Sequence, residues 1–289
     1  MIISIASGKG GTGKTTVAVN LARVLNENTL LLDCDVEEPN CHIFLKPEIT
    51  YYKKVTIPIP VVDLNKCDRC GKCGEICRFN AILVLKENVL IFPELCHGCG
   101  GCKLVCPAGA IEEIGREIGI VEKGWAGDIE FVHGKLRIGE PMSPPLIKAV
   151  KNNINMGKTV IIDSPPGTSC PVIESVKNSD FCLLVTEPTP FGLNDLKLAV
   201  EMTRELNIPI GIILNRCNTG DREVYKYCDS ENIEILMEIP IDRGVAQCYS
   251  EGGLIVDRFL EYEKKFSKLA ERILKEKSLS NALRTNDKI

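Results

Sequence analysis

Eight cysteines in two short runs are the residues with the clearest chemistry. Each run follows the spacing Cys-x2-Cys-x2-Cys-x3-Cys, and the second begins 29 residues after the first. The runs are Cys67, Cys70, Cys73, Cys77 and Cys96, Cys99, Cys102, Cys106, the last followed by Pro107. Thiolates at this spacing bind iron–sulfur clusters. The sequence therefore predicts two [4Fe–4S] clusters.

The spacing resembles that of bacterial two-cluster ferredoxins. The resemblance gives one cluster the ligands Cys67, Cys70, Cys73 and Cys106, and the other the ligands Cys96, Cys99, Cys102 and Cys77. Structural zinc, which also takes four cysteines, is the alternative, but two runs that each carry a trailing fourth cysteine favour clusters. Arg78 stands where many such runs have proline; it leaves the ligands intact and is expected to alter the local charge and reduction potential.

A phosphate-binding loop lies near the start of the chain. Residues 8–15 are Gly-Lys-Gly-Gly-Thr-Gly-Lys-Thr, between an apolar stretch at 2–6 and an amphipathic stretch at 15–26, which predict a strand and a helix. Glycines let backbone N–H groups approach phosphate oxygens at the start of a helix. Lys14 is expected to reach the β- and γ-phosphates, and Thr15 to bind Mg²⁺.

The additional Lys9 makes this loop similar to the deviant P-loop of the MinD/ParA/Mrp superfamily, which includes the nitrogenase iron protein. In that superfamily the early lysine crosses a dimer interface to the partner subunit's nucleotide, so the resemblance implies a homodimer around ATP. It also implies that Asp35 positions Mg²⁺ and the attacking water, that Asp163 holds Mg²⁺ through water, and that the γ-phosphate is sensed near Gly167.

Two shorter motifs extend the resemblance. Residues 214–216, Leu-Asn-Arg, resemble the segment whose asparagine contacts adenine, and residues 239–242, Ile-Pro-Ile-Asp, resemble the loop that closes over the base. The expected nucleotide-binding residues are Gly8, Lys9, Gly10, Gly11, Thr12, Gly13, Lys14, Thr15, Thr16, Gly167, Asn215, Arg216, Pro240 and Asp242. The expected catalytic residues are Lys9, Lys14 and Asp35, and the expected Mg²⁺ ligands are Thr15 and Asp163.

The order of predicted elements indicates an α/β fold with a mostly parallel P-loop sheet flanked by helices. Further strands are predicted at 29–33, 159–163, 181–186, 209–215 and 234–239, and helices at 193–206 and 221–231. We predict a discontinuous ATPase domain at 1–60 and 111–289, with a small bacterial-ferredoxin-like domain inserted at 61–110. An insert of this size needs its clusters for stability. Residues 111–140 predict short strands, and residues 261–289 a mixed-charge helix with a polar end.

Composition argues against several other classes of protein. The net charge of −4 gives no reason to expect nucleic acid, and no apolar run reaches the length of a membrane span. The first residues lack the charged region of a signal peptide. Fifteen cysteines, an odd number with eight in metal-binding spacing, favour a reducing cytoplasm over a secreted disulfide scaffold. We expect a cytoplasmic protein without membrane or nucleic-acid partners.

We interpret the chain as an Mg-ATPase that couples its nucleotide state to electron transfer to a partner protein. The alternative is an ATPase for assembly or carriage of iron–sulfur or other metal clusters, as in the Mrp-like branch. Those proteins usually bridge a labile cluster with a paired Cys-x-x-Cys in the later part of the chain, and none follows residue 106. A MinD-like positioning protein would carry a C-terminal amphipathic membrane helix, which the interleaved lysines and glutamates of the tail argue against.

Overall fold

A computed structural model describes the backbone of residues 1–286 and the side chains of residues 1–275. The chain forms two compact units. The larger unit contains residues 1–52, 121–135 and those from 147 onward, and the smaller unit contains 53–120 and 136–146. Both cysteine runs lie in the smaller unit. The ferredoxin-like insert at 61–110 remains a prediction.

The elements alternate as expected for an α/β chain. The strands are β1 (Ile2–Ala6), β2 (Thr29–Asp33), β3 (Glu48–Val62), β4 (Ile82–Val84), β5 (Val89–Ile91), β6 (Ile111–Ala126), β7 (Ile129–Leu136), β8 (Thr159–Asp163), β9 (Phe181–Thr186), β10 (Ile210–Asn215) and β11 (Ile235–Ile239). The helices are α1 (Lys14–Leu25), α2 (Cys41–Leu45), α3 (Lys72–Ile76), α4 (Gly101–Leu104), α5 (Pro144–Lys151), α6 (Cys170–Val176), α7 (Pro190–Glu205), α8 (Glu223–Ser230), α9 (Arg243–Ser250), α10 (Ile255–Arg258) and α11 (Leu260–Asn286). A 3-10 turn covers Pro93–Leu95.

The main sheet has the strand order β11-β10-β9-β1-β8-β2-β7-β6-β3. Parallel pairs join the neighbours from β11 to β7. Strands β1, β2 and β9 are completely buried, because helices cover both faces of a parallel sheet. The carboxyl ends of β1, β2 and β8 therefore lie side by side at one edge, with Asp33 of β2 in register with Asp163 of β8.

Two apolar cores hold the larger unit together. On one face of the sheet, side chains of α1 and α11, such as Leu21 and Phe266, pack with Ile5 of β1. The second core joins α6, α7 and α8 to alternate residues of β9 and β10, among them Leu184 and Ile212. The alternation along each strand sends successive side chains to opposite cores.

The predicted strands at 2–6, 29–33, 159–163 and 181–186 are confirmed with the same bounds. The expectation of short strands at 111–140 was wrong, because β6 alone has 16 residues. Strand β3, with 15 residues, was not predicted, because its first seven residues are all exposed and show no alternation. Gly124 allows a close strand contact: a Cβ there would lie 2.0 Å from the carbonyl oxygen of Glu48. The predicted helix at the tail is confirmed through Asn286; its polar end lies outside the described residues.

The smaller unit repeats one short motif. Helices α3 and α4 each carry the third cysteine of a run, and each follows a left-handed glycine, Gly71 (φ 83°) or Gly100 (φ 72°). A small core of Cys73, Ile82, Val89 and Ile111 is buried beside the antiparallel β4–β5 hairpin. This cluster is small, which fits the expectation that bound metal contributes to the stability of the region.

Candidate functional site

The phosphate-binding loop connects β1 to α1. Gly11 and Gly13 have left-handed backbone angles (φ 75° and 98°), and α1 begins directly after Gly13. The loop therefore takes a turn that side-chain-bearing residues avoid, and it presents backbone N–H groups at a helix N-terminus. A Cβ on Gly8 would lie 2.2 Å from the carbonyl oxygen of Asp195, so this position needs glycine for packing against α7.

Lys14 is buried beside two carboxylates. Burial lowers its pKa, and the charges of Asp163 and Asp35 act in the opposite direction. The hydroxyl of Thr15 donates a 2.7 Å hydrogen bond to Oδ2 of Asp163. The other oxygen of Asp163, Oδ1, is buried without a hydrogen-bond partner. Mg²⁺ and the waters bound to it interact with hydroxyl and carboxylate oxygens. The hydroxyl of Thr15 and the carboxylate of Asp163, with its unpaired Oδ1, therefore fit the ion.

Asp33 and Cys41 complete the buried group around Asp163. The thiol of Cys41 donates to Oδ2 of Asp163 over 3.3 Å, and its backbone N–H donates to Asp33 over 3.0 Å. Burial and the proximity of Asp163 raise the pKa of Asp33 well above its usual range, and burial raises the pKa of Asp163. The sequence motifs did not single out Cys41, because a lone cysteine at the start of a short helix carries no recognisable pattern.

Asp35 is less buried than the other two aspartates and borders the open space above the loop. Burial and the charge of Asp163 raise its pKa to about 7, although Lys14 acts to lower it. A carboxyl that titrates near neutral pH can exchange a proton with bound water.

A cavity of 540 Å³ lies next to the loop. The predicted residues that line it are Gly10, Gly11, Gly13, Lys14, Thr15, Thr16, Asp35, Asn215, Arg216, Pro240 and Asp242. Five predicted residues are not part of its lining: Gly8, Lys9, Thr12, Asp163 and Gly167. The backbone N–H of Gly167 donates to the carbonyl of Ser7. Tyr249 and Val245 also line the cavity and were not predicted.

Two of the side chains that line the cavity are held by the protein itself. The amide of Asn215 donates to the carbonyl of Thr12 over 2.8 Å, so it supports the phosphate-binding loop. A carboxylate oxygen of Asp242 accepts from the backbone N–H of Val245 and caps α9. These two hydrogen bonds fix the positions of Asn215 and Asp242.

Lys9 makes an ion pair that the sequence did not indicate. Its Nζ lies 3.3 Å from Oε2 of Glu187, whose other oxygen accepts a 2.5 Å hydrogen bond from Arg216. Glu187 follows β9 and belongs to no motif, so only the fold reveals its position.

In the smaller unit the eight cysteines line two cavities. One, of 220 Å³, is lined by Cys77, Cys96, Cys99 and Cys102. The other is lined by Cys67, Cys70, Cys73 and Cys106. Each cavity thus has three cysteines of one run and the fourth cysteine of the other, which are the two sets expected from the ferredoxin spacing.

Backbone N–H groups donate to three of these sulfurs. Ala81 donates to Cys77 and Ala110 to Cys106, both over 3.3 Å, at equivalent positions of the repeat. Gly98 donates to Cys96 over 3.4 Å. Such bonds stabilise thiolates and tune the reduction potential of a bound cluster.

A zinc ion bound by cysteines would require closely spaced sulfurs. A tetrahedral zinc with bonds of about 2.3 Å would hold its sulfurs about 3.8 Å apart. Within residues 1–275, no three cysteine sulfurs all lie within 4.8 Å of one another. His97 borders the 220 Å³ cavity of the smaller unit, and its ring stacks on that of Phe79 with centroids 3.6 Å apart.

The fold and the glycine-rich loop define a P-loop nucleotide-binding protein. Residues 3–255 match the family described as the CobQ/CobB/MinD/ParA nucleotide binding domain, and the chain belongs to that family. Among residues 1–286, no helix is long and apolar enough to span a bilayer.

Several known proteins are similar to this chain over most of its length. An uncharacterized protein of Methanocaldococcus jannaschii is 34% identical over 94% of this chain and 96% of its own length. An iron-sulfur cluster carrier protein of the same organism is 26% identical over 94% of this chain and 83% of its own length. The crystal structure of the cell division ATPase MinD of Pyrococcus furiosus has a TM-score of 0.56 at 24% identity, over 95% of this chain and 98% of that structure. This last similarity shows the fold alone.

The raised pKa of Asp35 predicts a pH-dependent stability in the absence of nucleotide and Mg²⁺. The folded state binds the Asp35 proton more tightly than the unfolded state, so this contribution is complete below about pH 4 and is lost as the pH rises through about 7. We expect Asp35→Asn to remove this component, which urea unfolding at pH 4 to 8 would measure. An unchanged pH dependence in the variant would contradict the assignment.

Proposed function

We propose that this protein binds and hydrolyses Mg-ATP and holds two [4Fe–4S] clusters, and that nucleotide state controls electron transfer to a partner protein. The observation that carries the proposal is the grouping of eight cysteines around two cavities, four to each. When bound, the clusters would supply one-electron redox chemistry. A reducing cytoplasm, which keeps thiols available as ligands, is the expected location.

The roles proposed for the nucleotide site follow from its contacts. Lys14 would neutralise phosphate charge, and Thr15 and Asp163, already joined by a hydrogen bond, would hold Mg²⁺ and its water. Asp35 would orient the attacking water and take its proton. In a homodimer, Lys9 would reach the nucleotide of the partner subunit.

The exposure of particular cysteines supports electron transfer to a partner protein. Cys70 and Cys99, the second cysteine of each run, are exposed, whereas Cys73 and Cys96 are buried. A surface thiolate ligand brings the metal near the surface and shortens the distance to a docked protein. The partner remains unidentified, and we describe it only as a redox or metal-cluster protein.

Carriage of clusters is the second candidate function. It is favoured by the relatives named iron-sulfur cluster carrier proteins. The number of ligands argues against carriage, because four protein thiolates bind all four irons of a cubane and leave no iron open to an acceptor protein.

Substitution of the fourth cysteines tests the crossed ligand sets. We expect Cys106→Ser to weaken the cluster held by the first run and Cys77→Ser the cluster held by the second run. Iron and sulfide content of the anaerobically purified protein should fall toward half in each variant, with different residual EPR spectra. Buried Cys228→Ser, in the larger unit, is the matched control and should retain both clusters. Full iron content in both run variants would contradict the proposal.

Transfer to an acceptor separates the two candidate functions. Electron transfer predicts that the protein keeps its iron when incubated with Mg-ATP and an apo-ferredoxin. It also predicts that the protein, reduced with dithionite and then freed of excess dithionite, reduces a holo-ferredoxin. Carriage predicts ATP-accelerated loss of iron to the apo-ferredoxin. Absorbance of the separated proteins would follow both reactions.

A further inference from the structure

Glu187 is a buried carboxylate shared by two cations. Its side chain is 8% exposed, and it pairs with Lys9 through Oε2 and with Arg216 through Oε1. A carboxylate at this depth needs a cationic partner, because removing the only partner of a buried charge is strongly destabilising. With two partners, one can leave while the other still neutralises the charge.

The two cations face different surroundings. Arg216 lines the nucleotide cavity, whereas Lys9, although part of the phosphate-binding loop, does not line it. The side chain of Lys9 is 32% exposed, so it can move without repacking the core. In this structure Lys9 is therefore directed to Glu187 of its own chain and not to its own nucleotide cavity.

The backbone around Glu187 is held firmly. Its carbonyl accepts from the N–H of Thr189, and the hydroxyl of Thr189 caps α7 by accepting from Gly192. A Cβ on Gly192 would lie 2.3 Å from the carbonyl oxygen of Glu187, so glycine allows this close contact. The backbone of Glu187 is therefore held in place and its side chain is buried, so the more exposed Lys9 is the partner that can move.

We propose that Glu187 is a positioning residue that retains Lys9 within its own subunit until two ATP-bound subunits meet, and that Arg216 remains as its counterion when Lys9 leaves. This inference rests on the proposed function, in which Lys9 reaches the partner subunit's nucleotide. Each subunit must break one Lys9–Glu187 ion pair to dimerise. The pair therefore sets the concentration at which the dimer forms.

The test is Glu187→Gln in the full-length protein with its clusters. Glutamine keeps the size of the side chain, but it no longer attracts the two cations as ions, and its single amide oxygen replaces two carboxylate oxygens that accept from different cations. With a slowly hydrolysed ATP analogue, we expect the Kd of the dimer to fall by about threefold to tenfold, because two partly exposed ion pairs, one in each subunit, need no longer be broken. Sedimentation velocity would measure this Kd, and the affinity of the dilute monomer for the analogue should change by less than about twofold.

Two further variants separate this role from a general effect of charge. Glu187→Asp keeps the carboxylate and should return the Kd of the dimer toward that of the wild type. Glu205→Gln removes the same charge from an exposed position of α7 and should leave the Kd unchanged.

Two results would overturn the inference, and they differ from each other. If the wild type dimerises with the analogue but Glu187→Gln dimerises equally or more weakly, the retaining role of Glu187 is wrong and the proposed function stands. If neither protein dimerises with the analogue, the expected role of Lys9 in the partner subunit is wrong. The proposed role of Glu187 is then wrong as well, because it depends on that role of Lys9.

Discussion

The close approach of Asp33 and Asp163 is the constraint on which the nucleotide site depends. Parallel pairing of β2 with β8 places the two carboxyls in register at one buried sheet edge. Burial raises the pKa of both carboxyls, and the charge of Asp163 raises the pKa of Asp33 further, so the pair favours a charge-compensating partner. Lys14 and the hydroxyl of Thr15 supply part of that compensation, and a bound Mg²⁺ would supply more under the proposed function.

A second constraint acts on the smaller unit, where few apolar side chains are buried. Its short helices start at equivalent left-handed glycines, and each brings a cysteine run toward the fourth cysteine of the other run. Clusters bound by these crossed ligand sets would join both halves of the repeat. Under the proposed function the same bonds would provide stability and redox chemistry, so loss of one cluster would weaken both halves.

Much of this arrangement follows from local sequence patterns. The buried strands are continuous apolar runs, the glycine-rich loop needs its particular backbone angles, and cysteine spacing predicts which sulfurs meet. Other features depend on residues brought together only by the fold. Glu187 meets Lys9 across 178 residues of sequence, and Asn215 supports Thr12 across 203. Strand β3 escaped prediction because its exposed side chains give no apolar alternation, and Cys41 because a single buried thiol has no pattern.

The central claim is that nucleotide state and cluster chemistry are coupled in one chain. An anaerobic EPR redox titration of the purified protein, with and without Mg-ATP or a slowly hydrolysed analogue, tests it most directly. The account predicts two [4Fe–4S] signals whose midpoint potentials or line shapes change when nucleotide binds. Two signals that are indifferent to nucleotide would contradict ATP control of electron transfer.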